Sequence, residues 1–465
     1  MTASQDIAAE GGLSRRTVLS RSAAGLGIAL TGSLNGLFGT TASAAGPRSA
    51  GYGPLIADPD GLLALPAGFR YSVVAQSGVT RLETGEPTPG DPDGTAAFVR
   101  HGGNGSVLVN NHEISGSDPN PVPKIPGFVY DPAQGGGTTN IEVDKDGNRV
   151  REYVSLAGTL NNCAGGKTPW ETWLTCEEAE SRGSGPWHGY VFEVDPYDQD
   201  ANRDPKPIKA FGRYAHESLV VEPQGAHVYL TEDAGNPNGL LYRWTAPDEA
   251  LPLGKGSFRT LADDAGTLDA MRASTRSGTF VADLSVATRP GTTYTVEWIA
   301  VPDRDARTVS TRNQAYAQPI TRSRKLEGMW WGDGGAYFVA SFARTSDGSA
   351  AQHDGQVWFL DPHEDTIELK LHFAYTPADQ DSDPDGPDNI TVSAHGGLII
   401  AEDGEGASHL VGSTDAGDVF FLARNELNDS EFAGPTFSND KKTLFANIQS
   451  PGYVLAIQGP FRKQR

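Results

Sequence analysis

One strand pattern recurs along this chain and limits what it can fold into. A strand ending in polar or acidic residues appears as VLVNNHE from Val107, WLTCEE from Trp173, VYLTEDAG from Val228, YFVASFAR from Tyr337 and LIIAEDG from Leu398. A second strand type follows four of these: GYVFEVDP from Gly189, GLLYRW from Gly239, GQVWFLDP from Gly355 and GDVFFLAR from Gly417. The starts are 66, 55, 109 and 61 residues apart, so a further unit is expected inside the long gap, between Thr279 and Asp303, where TFVADL and TYTVEWIAVPD read as strands. That makes six units. A small sheet cannot bury both faces until neighbours stack on it, so units of this size indicate a β-propeller. The spacing predicts an all-β, six-bladed propeller with long loop insertions and a metal site at its central axis; a pair of β-sandwiches or a β-helix is the alternative. The 56 glycines and 31 prolines supply the turns such a fold needs. Residues 80–98 and 376–388, rich in Pro, Gly and Asp, read as loops on the rim.

In a propeller, equivalent strand ends meet at one end of the axis. Glu113, Glu178, Glu232, Asp233, Glu402 and Asp403 are therefore expected to face a common space. Crowded carboxylates repel unless a cation neutralises them; taken singly, each could equally be a solvated strand end. Ala215, His216 and Glu217 in GRYAHES, Glu327 before Gly328, and Asp388 with Asn389 in GPDNITV add carboxylates and carbonyls in settings where the backbone can approach a cation closely. The stretch NNCAGGKTPWETWLTCEE holds both cysteines, Cys163 and Cys176, with 12 residues between them. A disulfide, ordinary packing and a thiolate on a metal all remain open from these residues alone.

Charge and address narrow the class. The 59 acidic residues against 37 basic ones leave a formal charge of −22, which argues against nucleic acid or an anionic membrane as partner. Residues 14–19 read SRRTVL and precede a short, weakly apolar run from Ala23 to Leu37, with Ala42, Ser43 and Ala44 as an A-x-A cleavage site. This resembles a twin-arginine export signal, and the run is too short for a membrane span, which needs about 20 apolar residues. Residues 1–44 are read as that signal and 45–465 as one propeller domain. The expected address is bacterial, secreted or in the cell envelope, reached through the twin-arginine export machinery. With no coiled coil or exposed pairing strand in view, a monomer is expected.

The run GTLNNCAGGKTPWETWLTCEE, with AHES, LEG and PDN following in order, resembles the PhoX-type secreted alkaline phosphatases across essentially the whole mature chain. The resemblance implies a six-bladed propeller whose axial site holds two ferric and three calcium ions with a bridging oxide, and which hydrolyses small phosphomonoesters. It implies Cys163 as a thiolate on iron with Asn162 beside it as an oxygen ligand. Glu178 and Glu217 are implied as carboxylates shared with iron and calcium, the Ala215 carbonyl as a calcium ligand, and Glu327 and Asp388 as further calcium ligands. Where the family has a phosphate-gripping arginine two residues before Glu327, this chain has Lys325, preceded by Arg324; either Lys325 substitutes as a point charge or Arg324 reaches in. A calcium-dependent lactonase-like hydrolase and a non-catalytic, calcium-stabilised propeller are the competing readings of the same acidic axis.

Overall fold

The structure is a computed structural model that describes residues 50–102, 105–181, 185–223, 226–377 and 383–464. Residues 1–44, read from the sequence as a twin-arginine signal with its cleavage site, lie outside these residues.

The described residues are all-β, with only short 3-10 turns besides the strands, and among them no helix is long and apolar enough to cross a membrane. Most of it runs as consecutive antiparallel meanders. The first comprises Pro92–Val99, Gly105–His112, Gly136–Asp144 and Arg149–Thr159, and the second Asn162–Lys167, Trp173–Glu177 and Val191–Val194. A third runs from His216–Val221 through His227–Glu232 and Leu241–Thr245 to Thr267–Ser274, a fourth from Leu326–Gly332 through Gly335–Ala340 and Gly355–Asp361 to Thr366–Phe373. The fifth comprises Pro387–Val392, Leu398–Glu402, His409–Ser413 and Val419–Asn425. Phe432–Phe437, Thr443–Ile448 and Tyr453–Gln458 form the last, which Arg70–Gln76 from the other end of the chain completes. The first strand of each meander touches the first strands of its two neighbours, so these inner strands close a ring. The arrangement is propeller-like.

Sequence periodicity explains the difference between inner and outer strands. Thr366–Phe373, TIELKLHF, alternates half-buried polar with buried apolar residues, as a strand with one packed face should. His216–Val221 in the inner ring is buried at every position because neighbours cover both faces. Clusters of apolar side chains fill the space between adjacent meanders, with Trp173, Trp244 and Trp358 among the largest fully buried residues.

Three expectations are corrected. Hydrogen bonding divides the strands into five sheets, not six separate blades, because Thr293–Ala300 pairs with Thr267–Ser274 on one side and with Thr366–Glu368 on the other, which fuses the third and fourth meanders into one ten-stranded sheet. The unit expected between Thr279 and Asp303 is this connection, Phe280–Val281 and Thr293–Ala300, and not a meander of its own. The run missing from the repeat lies instead at Phe432–Gln458, whose second strand, Thr443–Ile448, does not end in acidic residues. Residues 92–98, read as rim loop from their Pro and Gly content, form most of an inner strand.

Arg70–Gln76 caps the edge of Tyr453–Gln458 by backbone pairing from Arg70↔Gln458 to Gln76↔Tyr453. Without it that edge would present unpaired N–H and C=O groups. A truncation that removes residues through Gln76 is expected to lose the cooperative thermal transition of the full chain or to aggregate; a differential scanning calorimetry trace unchanged from the full chain would contradict this account of ring closure.

Candidate metal centre

Each inner strand slips register against its neighbour at the same place. The slips fall between Pro92 and Thr95, Asn162 and Gly165, His216 and Leu219, Leu326 and Met329, Pro387 and Ile390, and Ala433 and Thr436. A bulge of this kind leaves residues out of the ladder and re-aims their side chains. The bulged pairs are Asp93–Gly94, Cys163–Ala164, Glu217–Ser218, Glu327–Gly328, Asp388–Asn389 and Gly434–Pro435. Five of them begin with a metal-ligating residue type.

The second residue is small in four of the pairs, an asparagine in Asp388–Asn389 and a proline in Gly434–Pro435, and the strands converge there. A Cβ on Gly94 would lie 2.5 Å from Ala164 Cα, and one on Gly328 would lie 2.7 Å from the Asp388 carbonyl. A cavity of ≈20 Å³, room for about one water, is lined by Gly94, Ala164, Ser218, Gly328, Asn389 and Gly434, the residues at and beside the bulges.

The donors meet in overlapping groups. Ligating atoms of Cys163, Glu178 and Glu217 lie within 4.8 Å of one another, as do those of Glu217, Glu327 and Asp388, and those of Asp388, Asp403 and Glu431. Glu178 arrives from the end of the strand Trp173–Glu177, its N–H bonded to the Asn161 carbonyl and its backbone bridged to Ala215. The Ala215 carbonyl accepts from the Asp233 N–H at 3.2 Å. Glu113 lies against Asp93, and Gln449 donates to its carboxylate at 2.6 Å.

Strand alternation decides which of the acidic strand ends take part. Glu178, Asp233 and Asp403 face the cluster, whereas Glu232 and Glu402, expected there too, turn into the meanders: Glu232 takes Arg312 at 2.9 Å and the Tyr242 hydroxyl at 2.8 Å, and Glu402 takes His409. The Asn162 side chain is occupied by Thr159 and Thr175. The histidines do not line the cluster: His112 binds the Gly90 carbonyl and Thr139, and His216 binds the Gly212 carbonyl and stacks on Tyr214. Cys163 and Cys176 are both free thiols, and Cys176 packs among Leu174, Val191 and Leu219.

Lys325, not Arg324, enters the site. Its ammonium lies 3.2 Å from Glu327, 3.8 Å from Asp403 and 3.9 Å from Asp233, while Arg324 points to Asp347 and the Phe342 ring. Burial works against the Lys325 charge, but Glu327, Asp233 and Asp403 outweigh it and push its pKa up. Lys325 has φ +44°. The same position, one residue before the inner strand, is left-handed in Asp91 (φ 40°), Asn161 (φ 47°) and Gly386 (φ 49°). Those are the residue types that tolerate this conformation; in lysine it costs on the order of 1 kcal/mol.

Electrostatics show what the cluster lacks. Burial, then Asp233, pushes the Glu178 carboxyl well above its ordinary range; burial, then Asp388, does so for Glu217. Glu431 is raised by burial and Asp403, Asp388 to about 7 by burial and Asp403, and Asp93 to about 8 by burial and Asp388. The Cys163 thiol is pushed up by burial and by Glu217 and Glu178. Asp93 Oδ1 is buried without a hydrogen-bond partner. One ammonium cannot offset so many converging carboxylates, and the donor chemistry suits cations: a thiolate with carboxylates for a transition metal, all-oxygen groups for calcium.

The sequence reading missed Asp93 and Glu431. It aligned the second strands of the repeat, where the acids sit at strand ends, and left the inner strands unaligned. A signal was present in them: DG, CA, ES, EG and DN, a ligating residue followed by a small or amide one.

These features define an all-β, propeller-like protein with a buried acidic and thiol cluster on its axis. The family model described as alkaline phosphatase PhoX matches residues 50–152 and 146–452, and the chain belongs to that family. No curated protein sequence matches it. Among solved structures it is similar to Pseudomonas fluorescens PhoX in complex with vanadate, a transition state analogue, at TM-score 0.66 and 18% identity over 89% of this chain and 98% of that one. A gluconolactonase from Xanthomonas campestris aligns at TM-score 0.40 and 13% identity over 89% of this chain and 99% of that one.

Carboxyls whose folded pKa is raised stabilise the fold below their unfolded pKa, about 4, and that contribution is lost as pH rises through the folded values, about 7 for Asp388 and 8 for Asp93. Chelator-treated protein is expected to melt at progressively lower temperature from pH 6 to pH 9, and protein supplied with calcium and iron to resist that fall. Differential scanning fluorimetry across pH, with and without EDTA, measures it; parallel curves would mean the cluster is neutralised without cations.

Proposed function

We propose that this protein is a secreted, metal-dependent alkaline phosphatase that hydrolyses phosphomonoesters at the axial cluster. The observation that carries the reading is the convergence of Cys163, Glu178 and Glu217 beside two all-carboxylate groups in a chain of the PhoX family. The vanadate complex of the P. fluorescens relative supports phosphoryl chemistry at such a site. In this reading residues 1–44 are the twin-arginine signal and residues 45–465 the catalytic domain.

Cys163, Glu178 and Glu217 would hold iron, while Glu327, Asp388, Asp403, Glu431 and the Ala215 carbonyl would hold calcium, with two ferric and three calcium ions as the full complement. Asn162 contributes through its hydrogen bonds behind Cys163. When bound, the ions would supply Lewis-acid polarisation of the phosphoryl oxygens. The protein's own work is to hold and orient the phosphate, because charge in the transition state is spread over the phosphoryl oxygens. Lys325 is placed for this: its ammonium is buried among the donors, where a phosphate oxygen can replace a carboxylate partner. As a point charge it grips without the two-pronged geometry of arginine.

Elemental analysis paired with p-nitrophenyl phosphate turnover tests the reading. Wild-type protein is expected to carry iron and calcium and to release phosphate, and Cys163→Ala to lose iron and activity together. Lys325→Ala is expected to keep its metal and raise KM about tenfold or more, in line with about 1.5–3 kcal/mol for a charged hydrogen bond. Wild-type protein with calcium, no iron and no turnover would return the site to a calcium-stabilised propeller.

A further inference from the structure

A bulged residue falls out of the ladder, so its carbonyl needs a donor from elsewhere. For three donor-bearing bulges that donor is a buried side chain from the second strand of the preceding meander. Asn111, in the first meander, donates its Nδ2 to the Cys163 carbonyl at 2.8 Å and to the Ala164 carbonyl at 2.7 Å, while its Oδ1 accepts from Trp173 Nε1 at 2.9 Å. Thr231, in the third, donates its hydroxyl to the Glu327 carbonyl at 2.7 Å and accepts from the Ser218 N–H at 3.0 Å. Asn447, in the last, donates its Nδ2 to the Asp93 carbonyl. Asn111 and Thr231 occupy the same register position, opposite the bulge of their own meander; Asn447 lies one residue along from it. All three are buried, at 0%, 0% and 1% exposure.

The geometry points to Asn111, Thr231 and Asn447 as positioning residues for the metal centre. Each fixes the peptide plane of a donor in the next meander and thereby the direction in which Cys163, Glu327 or Asp93 projects onto the axis. None touches a ligating atom. The device runs from one meander to the next, so the donors are aligned against each other by the ring itself and not by their own strands. Thr231 shows this most directly, since one hydroxyl joins the residue after Glu217 to the carbonyl of Glu327. The equivalent positions of the second, fourth and fifth meanders are Cys176, Val339 and Ala401, which lack such a donor. The inference rests on the reading of the cluster as a metal site.

Thr231→Val removes the hydroxyl at nearly constant volume, Thr231→Ser retains it, and Asn447→Leu removes a second clamp independently. The measurement is calcium and iron retained per chain during dialysis against graded EDTA, taken on holoprotein whose folding is checked by circular dichroism. Thr231→Val and Asn447→Leu are each expected to lose metal at about tenfold lower chelator concentration, the scale found when partners behind metal ligands are removed, and Thr231→Ser to behave as wild type. A purely structural role would lower the melting temperature and leave the chelator midpoint where it is. Wild-type midpoints in folded Thr231→Val or Asn447→Leu would overturn the positioning role while leaving the metal reading intact. Should Thr231→Val fail to fold, Asn447→Leu decides the matter, and a Thr231→Ser midpoint shifted as far as that of Asn447→Leu would also count against the role. Wild-type protein holding no metal at all would overturn both.

Discussion

Repulsion among buried carboxylates is the constraint on which the rest of this structure depends. Carboxylates held within 4.8 Å of one another cannot all be charged unless cations join them. The fold nevertheless drives them together, since the inner strands close a ring and each is bulged where it nears the axis. Small residues after the donors let the strands approach closely; a β-carbon at Gly94 or Gly328 would push the ring apart. The energy of packing between the sheets is thus spent partly on assembling an arrangement that is unfavourable until it is neutralised.

Much of this was legible in the sequence, and the boundary of legibility has a physical cause. The all-β, propeller-like architecture followed from repeated strands, and the Cys163, Glu178, Glu217, Glu327 and Asp388 set came from motif resemblance; the structure brings those side chains together. The number of separate sheets was not legible. Whether Thr293–Ala300 starts a new unit or bridges two existing ones depends on pairing over long range, which strand propensity does not encode. Asp93 was lost for a related reason: its Pro-Asp-Gly setting reads as a turn, and only burial between two neighbouring meanders makes it a strand. Glu232 and Glu402 were misplaced because adjacent strand residues face opposite ways, and a doublet of acids does not say which member faces the axis.

Lys325 joins these themes at one residue. It stands where the turn into three other inner strands has Asp91, Asn161 or Gly386, and it adopts the same left-handed backbone at a conformational cost. What offsets that cost is the placement of an ammonium among Glu327, Asp233 and Asp403. Arg324, one residue earlier, turns instead to Asp347 and the Phe342 ring.

The pairing of Arg70–Gln76 with Tyr453–Gln458 bears on the order in which the molecule is made. The first of these strands leaves the ribosome long before its partner exists, and the ring has no closed form until Tyr453–Gln458 has been synthesised. Donors supplied by separate meanders therefore take up their final arrangement only after that strand has been made. Closing so long a loop carries an entropic cost, and like charge on the converging donors adds to it. A cation that joined those donors would lower the second part and ease the completion of the circle.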